Sequence, residues 1–413
     1  MKLRLITLNF LQFFIWGAWL ITIANYWFGT KHWQGDDFGI IFSTMGISSL
    51  FMPALAGMIA DRWINAERLY GILHLLGGAA LFCIPSIDSP AAFFRGILVA
   101  MIFYMPTIAL ANSIAYTVLK NHGLDVVKDF PPIRVFGTIG FIVAMWTTNL
   151  TGSKATANQF YIAAAVSVFL GLYAFTLPKC PPPGRAIARK SLARTFGLDA
   201  FALFKNRKMA LFFLFSMCLG AALQLTNAYG DVFLSDFGAN PAYGPDNPVV
   251  RYSTLIMSVS QMSETLFILA IPFFLKRLGI KNVMLISMLA WVLRFGLFAY
   301  GNPAGGLWMI ILSCIVYGMA FDFFNISGSL FVETATTPAI RSSAQGLFMM
   351  MTNGIGAVLG SGISGHVIQK YYTAPDGAKD WPSIWLTFAA YALVVAVLFA
   401  MFFKHKQPAA SSD

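Results

Sequence analysis

The sequence predicts an all-α integral membrane protein: twelve transmembrane helices in two six-helix bundles. Three observations carry that reading. Of 413 residues, 58% are hydrophobic and 11% charged, and the mean hydropathy is +0.69. A soluble chain carries about 25% charged residues, so the solvent here is a bilayer. Apolar runs of about 20 residues, enough to span it, recur along the whole length. One long polar stretch, residues 178–207, divides those runs six and six.

In chain order the expected spans are 4–28, 36–60, 69–87, 91–119, 130–150, 156–177, 208–234, 249–275, 280–300, 304–332, 338–369 and 383–403. The opening MKLRLITLNF runs into an apolar segment longer than a signal h-region, with no small-residue cleavage pattern, and reads as a retained first helix. Pro85 and Pro90 crowd the turn between the third and fourth spans. Residues 1–177 then form the first bundle, 178–207 a cytoplasmic connector, 208–403 the second bundle and 404–413 a cytoplasmic tail. In the connector, Pro181 to Pro183 stop the preceding helix. Leu192, Phe196, Ala200, Leu203 and Phe204 recur at helical spacing beside Arg189, Lys190 and Arg194. That pattern predicts a basic amphipathic helix on the cytoplasmic leaflet; a regulatory or partner-binding helix is the alternative.

The formal net charge of +11 would suggest nucleic acid in a soluble protein. Sidedness gives another reason for it. With the N-terminus inside, twenty of the 28 Lys and Arg fall on the cytoplasmic side, and only Lys31, Arg95, Lys154, Arg251, Lys370 and Lys379 fall outside. This is the positive-inside asymmetry, and it predicts cytoplasmic termini, a lipid bilayer as partner and no nucleic acid. Of the four cysteines, Cys83, Cys218 and Cys314 are in spans and Cys180 is in the connector. No disulfide, metal site or cofactor is expected. The absence of HExxH, GxSxG and P-loop patterns argues against an enzyme.

The halves echo each other. FPPIRVFGT at 130–138 and TPAIRSSAQ at 337–345 share Pro-x-Ile-Arg, Pro131 to Arg134 and Pro338 to Arg341. Pro53 and Pro272 fall in the second and eighth spans, each followed by a charged pair. A parallel repeat of this kind fits a transporter whose site lies between two bundles. Gly354, Gly356, Gly360, Gly362 and Gly365 in the eleventh span suggest a small-residue face for close helix packing.

Two carboxylates lie in mid-span, Glu264 in 249–275 and Asp322 in 304–332. A charge at the centre of a membrane helix costs about 2.5–3.5 kcal/mol on insertion scales, so such acids face water, a ligand or a proton path. Other polar residues fall three or four apart, on common helix faces. Arg134, Thr138 and Phe141 share one in the fifth span; Gln224 and Asn227 one in the seventh; Gln261 and Glu264 one in the eighth; Tyr317 and Phe321, with Asp322 beside them and Asn325 a turn on, one in the tenth. These faces point inward. Bland readings stand beside the functional ones: Gln and Asn as interhelical glue, a snorkelling Arg134, Tyr317 and Phe321 as packing. Arg294, near the outer end of the ninth span, is expected to snorkel or to pair structurally. Amides, a guanidinium and flat rings suit a polar, partly aromatic solute, and nucleoside and sugar stay open at this point.

The segments FLQFFIWGAWL (10–20), FPPIRVFGTIGF (130–141), GLDAFALFKN (197–206) and YGMAFDFFNISGSLFVE (317–333) closely resemble the bacterial nucleoside:proton symporter family of the major facilitator superfamily. The resemblance covers essentially the full chain. Asp61-Arg62 after Gly57 is a partial version of the superfamily's loop signature, with Trp63-Ile64-Asn65 where Gly-Arg-Arg is usual. The resemblance implies a monomer in the bacterial inner membrane. It implies import of nucleosides such as uridine, adenosine or xanthosine, driven by protons through alternating access; sugar or oligosaccharide symport is the alternative. It also implies substrate roles for Arg134, Thr138, Phe141, Gln224, Asn227, Gln261, Glu264, Tyr317, Phe321 and Asp322. Glu264 and Asp322 are the proton-coupling candidates, expected on opposite walls of one cavity, with Arg134 pairing with Asp322 in one state.

Overall fold

Helices form over most of the expected spans in the computed structural model, which describes residues 1–182, 198–337 and 340–404, although the first is α-helical only as far as Gly17. The first half carries α1 (Lys2–Gly17), α2 (Gly35–Ile41), α3 (Ser43–Arg62), α4 (Ala66–Cys83), α5 (Pro90–Asn121), α6 (Val126–Leu150) and α7 (Asn158–Ala174). The second carries α8 (Arg207–Asp236), α9 (Pro248–Arg251), α10 (Ser253–Tyr300), α11 (Leu307–Ala335), α12 (Arg341–Met349), α13 (Ala357–Tyr372) and α14 (Trp381–Phe402). Among the described residues, nine helical stretches are long and apolar enough to cross a membrane, and α7 is a shorter apolar helix.

Local chemistry sets the boundaries. The crowded turn before α5 resolves into a 3-10 turn, Ile84–Ser86, after which the Ser89 hydroxyl caps Ala92 N and Pro90 takes the first helical position. Asn206 caps α8 through Lys208 N and Met209 N, and Asp380 caps α14 through Ser383 N. The eighth and ninth expected spans run together as the 48-residue α10, broken only at Gly279 with φ 77° and ψ 166°. No side chain tolerates that conformation well, so glycine marks the reversal. Two π-helical turns interrupt the regular helices, Asn25–Thr30 and Met350–Gly356; such turns are frequent at functional sites.

The glycines of the eleventh span do not form the single face expected. Side chains at Gly356 and Gly360 would strike Met217 O and Ala221 on α8, so these two pack within the second half. Gly354 meets Leu50 and Gly365 meets Gly39, both in the first half, while Gly362 has open space. The span uses small residues on two sides, one to pack in its own half and one to touch the other.

Hydrogen bonds between the halves gather at one end, the sealed end. Asn25 Nδ2 donates to Asp231 Oδ2. Gly35 N donates to Gln369 Oε1 (3.0 Å), and Asn149 Nδ2 to Arg251 O (3.0 Å). Lys154 Nζ donates to Val250 O (2.9 Å) and Ser253 Oγ (2.8 Å). Phe38 meets Tyr229 edge-on, and Lys379 Nζ lies 4.2 Å from the Phe28 ring centroid. The basic residues of the predicted connector helix, Arg189, Lys190 and Arg194, lie outside the described residues, as do Pro338 of the sequence echo and the tail from 405. Residues 198–205 form a 3-10 helix with Ala200 buried.

Candidate solute-binding cavity

A cavity of about 1120 Å³ lies between the halves, and all ten residues expected to bind solute line it. It runs from Leu20, Phe141 and Asn227 at its depth to the exposed Asp61 and Met349 at its mouth, away from the sealed end. The volume exceeds the usual range for a closed ligand pocket, about 300–1,000 Å³, as suits an open vestibule.

Helical spacing explains how each wall is built. On the first half, α6 brings Arg134, Thr138 and Phe141 to the cavity. The Arg134 guanidinium carbon lies 4.0 Å from the Phe13 ring centroid, a cation–π contact that holds it against the wall rather than at the membrane surface. Trp16 stands edge-on to Phe141 at 6.4 Å. On the second half, α8 supplies Gln224 and Asn227, α10 supplies Gln261 and Glu264, and α11 supplies Tyr317, Phe321 and Asp322. The Tyr317 and Phe321 rings lie nearly parallel, 11° apart with centroids at 6.0 Å, so they present consecutive flat faces. Asn325 also lines the cavity.

Two expectations need correction. Glu264 and Asp322 do not face each other from opposite walls. They sit on α10 and α11 of the same half, which touch where Gly318 meets the backbone of Ser263 and Glu264. The opposing wall carries Arg134 instead. Arg134, expected to pair with Asp322 in one state only, forms no ion pair with it in this one, where Glu264 is the acid whose charge reaches it. Arg294 does not snorkel. It is 0% exposed and donates from Nη1 to Ser313 O at 2.6 Å, so only the structural-pairing reading survives.

Several cavity polar groups are aimed at nothing in the protein. Gln224 Oε1, Asp322 Oδ2 and Trp16 Nε1 are buried without hydrogen-bond partners. Buried polar atoms are nearly always satisfied, so a cluster of orphans lining one cavity marks where a ligand or water binds. Sequence reasoning missed Trp16, which sits in the singled-out segment FLQFFIWGAWL but carries no polar spacing partner. It also missed Asp231, which lies near the end of the seventh span and is 1% exposed.

A model of the family described as nucleoside H+ symporter matches residues 1–408. The chain belongs to that family. It is similar to the nucleoside permease NupG of Escherichia coli (strain K12), 51% identical over 407 residues, covering 98% of this chain and 96% of the relative. It is likewise similar to the xanthosine permease of the same organism, 53% identical over 404 residues, with 98% and 96% covered. A crystal structure of the nucleoside transporter NupG superposes with a TM-score of 0.92 at 51% identity, over 98% of this chain and 99% of that one. A bacterial Spinster homologue shares the fold alone, with a TM-score of 0.70 at 13% identity. As a nucleoside H+ symporter family member the chain is a multi-pass membrane transporter, not an enzyme.

Proposed function

We propose that this nucleoside H+ symporter family member imports nucleosides, xanthosine or uridine among them, with inward-moving protons. The supporting observation is the convergence of four helices' polar and aromatic faces on one cavity that is open at one end and sealed at the other. On this reading the chain makes twelve crossings in two bundles: α10 counts twice at Gly279, and α1 with the turns after it and the shorter α7 each add one to the nine long stretches. The positive-inside asymmetry puts both termini and the cavity mouth in the cytoplasm. The described state is then inward-facing, in the bacterial inner membrane.

The ten lining residues divide the work. Gln224, Asn227 and Gln261 exchange hydrogen bonds with base and ribose, while Phe141, Tyr317 and Phe321 pack on the base. Thr138 and Arg134 face them from the first half. Protonation of Glu264 or Asp322 removes a charge from the cavity wall and lowers the cost of closing the halves around solute. Each proton moving inward across about 100 mV, inside negative, contributes roughly 2.3 kcal/mol to accumulation.

Uptake of a panel of labelled nucleosides into proteoliposomes with an imposed pH gradient tests the proposal. Accumulation that follows the gradient is expected. No nucleoside flux, or flux indifferent to the gradient, would refute it.

A further inference from the structure

Arg294 is a charge that the proposed site leaves without a role. Its guanidinium is wholly buried, and no ion pair to a carboxylate exists for it among the described residues. Nη1 reaches Ser313 O at 2.6 Å and Ser260 Oγ at 3.4 Å. The cation lies 4.7 Å from the Tyr317 ring centroid and 5.0 Å from that of Phe298, and the Cys314 thiol, a weak acceptor, also interacts with it. Nε and Nη2 have no hydrogen-bond partner. Unpaired donors on a buried cation are costly, so something else must satisfy them.

Two further orphans border the same space. Thr226 Oγ1 and Gln261 Oε1 are buried without partners, and both residues join Arg294 in lining a small chamber of about 10 Å³. That is about the room one water molecule needs. A water accepts two hydrogen bonds and donates two. Arg294 supplies two donors, at Nε and Nη2, while Gln261 Oε1 and Thr226 Oγ1 supply two acceptors. Asn227, Gln261 and Tyr317 line both this chamber and the large cavity, so the chamber sits directly behind the solute-facing wall.

We propose that the chamber is a one-water binding site, and that this water links the Arg294 guanidinium to the Gln261 amide, making Arg294 and Thr226 positioning residues for solute binding. The inference rests on the reading of Gln261 as a solute contact. A water whose lone pairs are taken by the guanidinium points its hydrogens at Gln261 Oε1. That fixes the amide so that Gln261 Nε2 faces the large cavity as a donor, matched to an acceptor oxygen or ring nitrogen on the nucleoside.

The test is uridine exchange in proteoliposomes without a pH gradient, for Thr226→Val, Arg294→Lys, the double variant and each change in a Gln261→Ala background. Each single change is expected to raise the half-saturation concentration about five-fold, the scale of one hydrogen bond, with the maximal exchange rate unchanged. The double variant should lose no more than the worse single, and neither change should add to Gln261→Ala. Wild-type half-saturation for a folded Thr226→Val protein, or additive losses in the double, overturns the proposal. Thr226→Val is nearly isosteric and decides alone if Arg294→Lys does not fold. If Gln261→Ala itself binds uridine normally, the solute reading of Gln261 fails. The water is judged separately in a high-resolution crystal structure: density bonded to both Arg294 and Gln261 supports it, and a dry chamber removes it.

Discussion

Two buried aspartates of the second half, Asp231 on α8 and Asp322 on α11, have opposite surroundings. Asp231, 1% exposed, is at the sealed end, where Asn25 Nδ2 donates to Oδ2 and Thr254 Oγ1 donates to Oδ1 at 2.9 Å. Asp322, 3% exposed, lines the cavity with Oδ2 unpartnered. Burial is almost the same and the chemistry is not. A carboxylate satisfied by a residue from the other half holds the two halves together. A carboxylate with a free oxygen in a cavity is available to a solute or a proton. The two ends differ likewise in their cross-half bonds: Lys154 Nζ, Asn149 Nδ2 and Gly35 N have partners in the other half at one end, while Asn149 Oδ1 there and Gln224 Oε1 in the cavity have none.

The largest effect is expected at the cavity acids. Glu264→Gln and Asp322→Asn, made separately, should cut accumulation of uridine against a gradient about ten-fold or more in at least one case, while gradient-free exchange persists. If both proteins accumulate uridine as wild type does, neither acid couples protons. The next effect belongs to the sealed end. A side chain at Gly39 would run into Ser361 O and Gly365 Cα, so Gly39→Val should wedge that end open. Leu20→Cys, with the exposed Cys83 and the half-buried Cys218 replaced by Ser, reports on it. Labelling of Leu20→Cys by a membrane-impermeant thiol reagent, added from the sealed side, should rise more than ten-fold.

Asp231→Ala sharpens the comparison of aspartates. Stranding Asn25 and Thr254 costs about 1–3 kcal/mol, which predicts about a five- to 150-fold rise in the same labelling. Asp322→Ala, which strands no partner from the other half, should raise labelling less than Asp231→Ala, and equal responses from the two would erase the distinction drawn here. Smallest is Lys154→Met, which removes donors to Val250 O and Ser253 Oγ at a partly exposed site. A change of about 1 kcal/mol, near five-fold in labelling, is the expected size.

Much of this was legible in the sequence, for reasons that can be named. The four polar faces could be read because residues three and four apart share a helix face wherever the helix goes. The break between the eighth and ninth spans was legible because the apolar runs stop at 275 and resume at 280, but Gly279 as the residue that makes the reversal came only from its φ of 77°. Arg294 was not, because depth along a helix does not say whether a neighbouring helix closes over the side chain; here Ser313 and Tyr317 of α11 do. The glycines of the eleventh span looked like one face because spacing alone does not say which helix stands on which side.

By itself, then, the chain determined its helices, its membrane setting, its family and the residue set that converges on the cavity, since each depends on local period, composition or motif. Only the tertiary structure decided which buried charges are satisfied across the halves and which line the cavity with an oxygen unpartnered. The partners that make that difference come from far along the chain, as Asn25 does for Asp231 across 206 positions. No local pattern encodes a hydrogen bond between residues whose proximity is created by the packing of one half against the other.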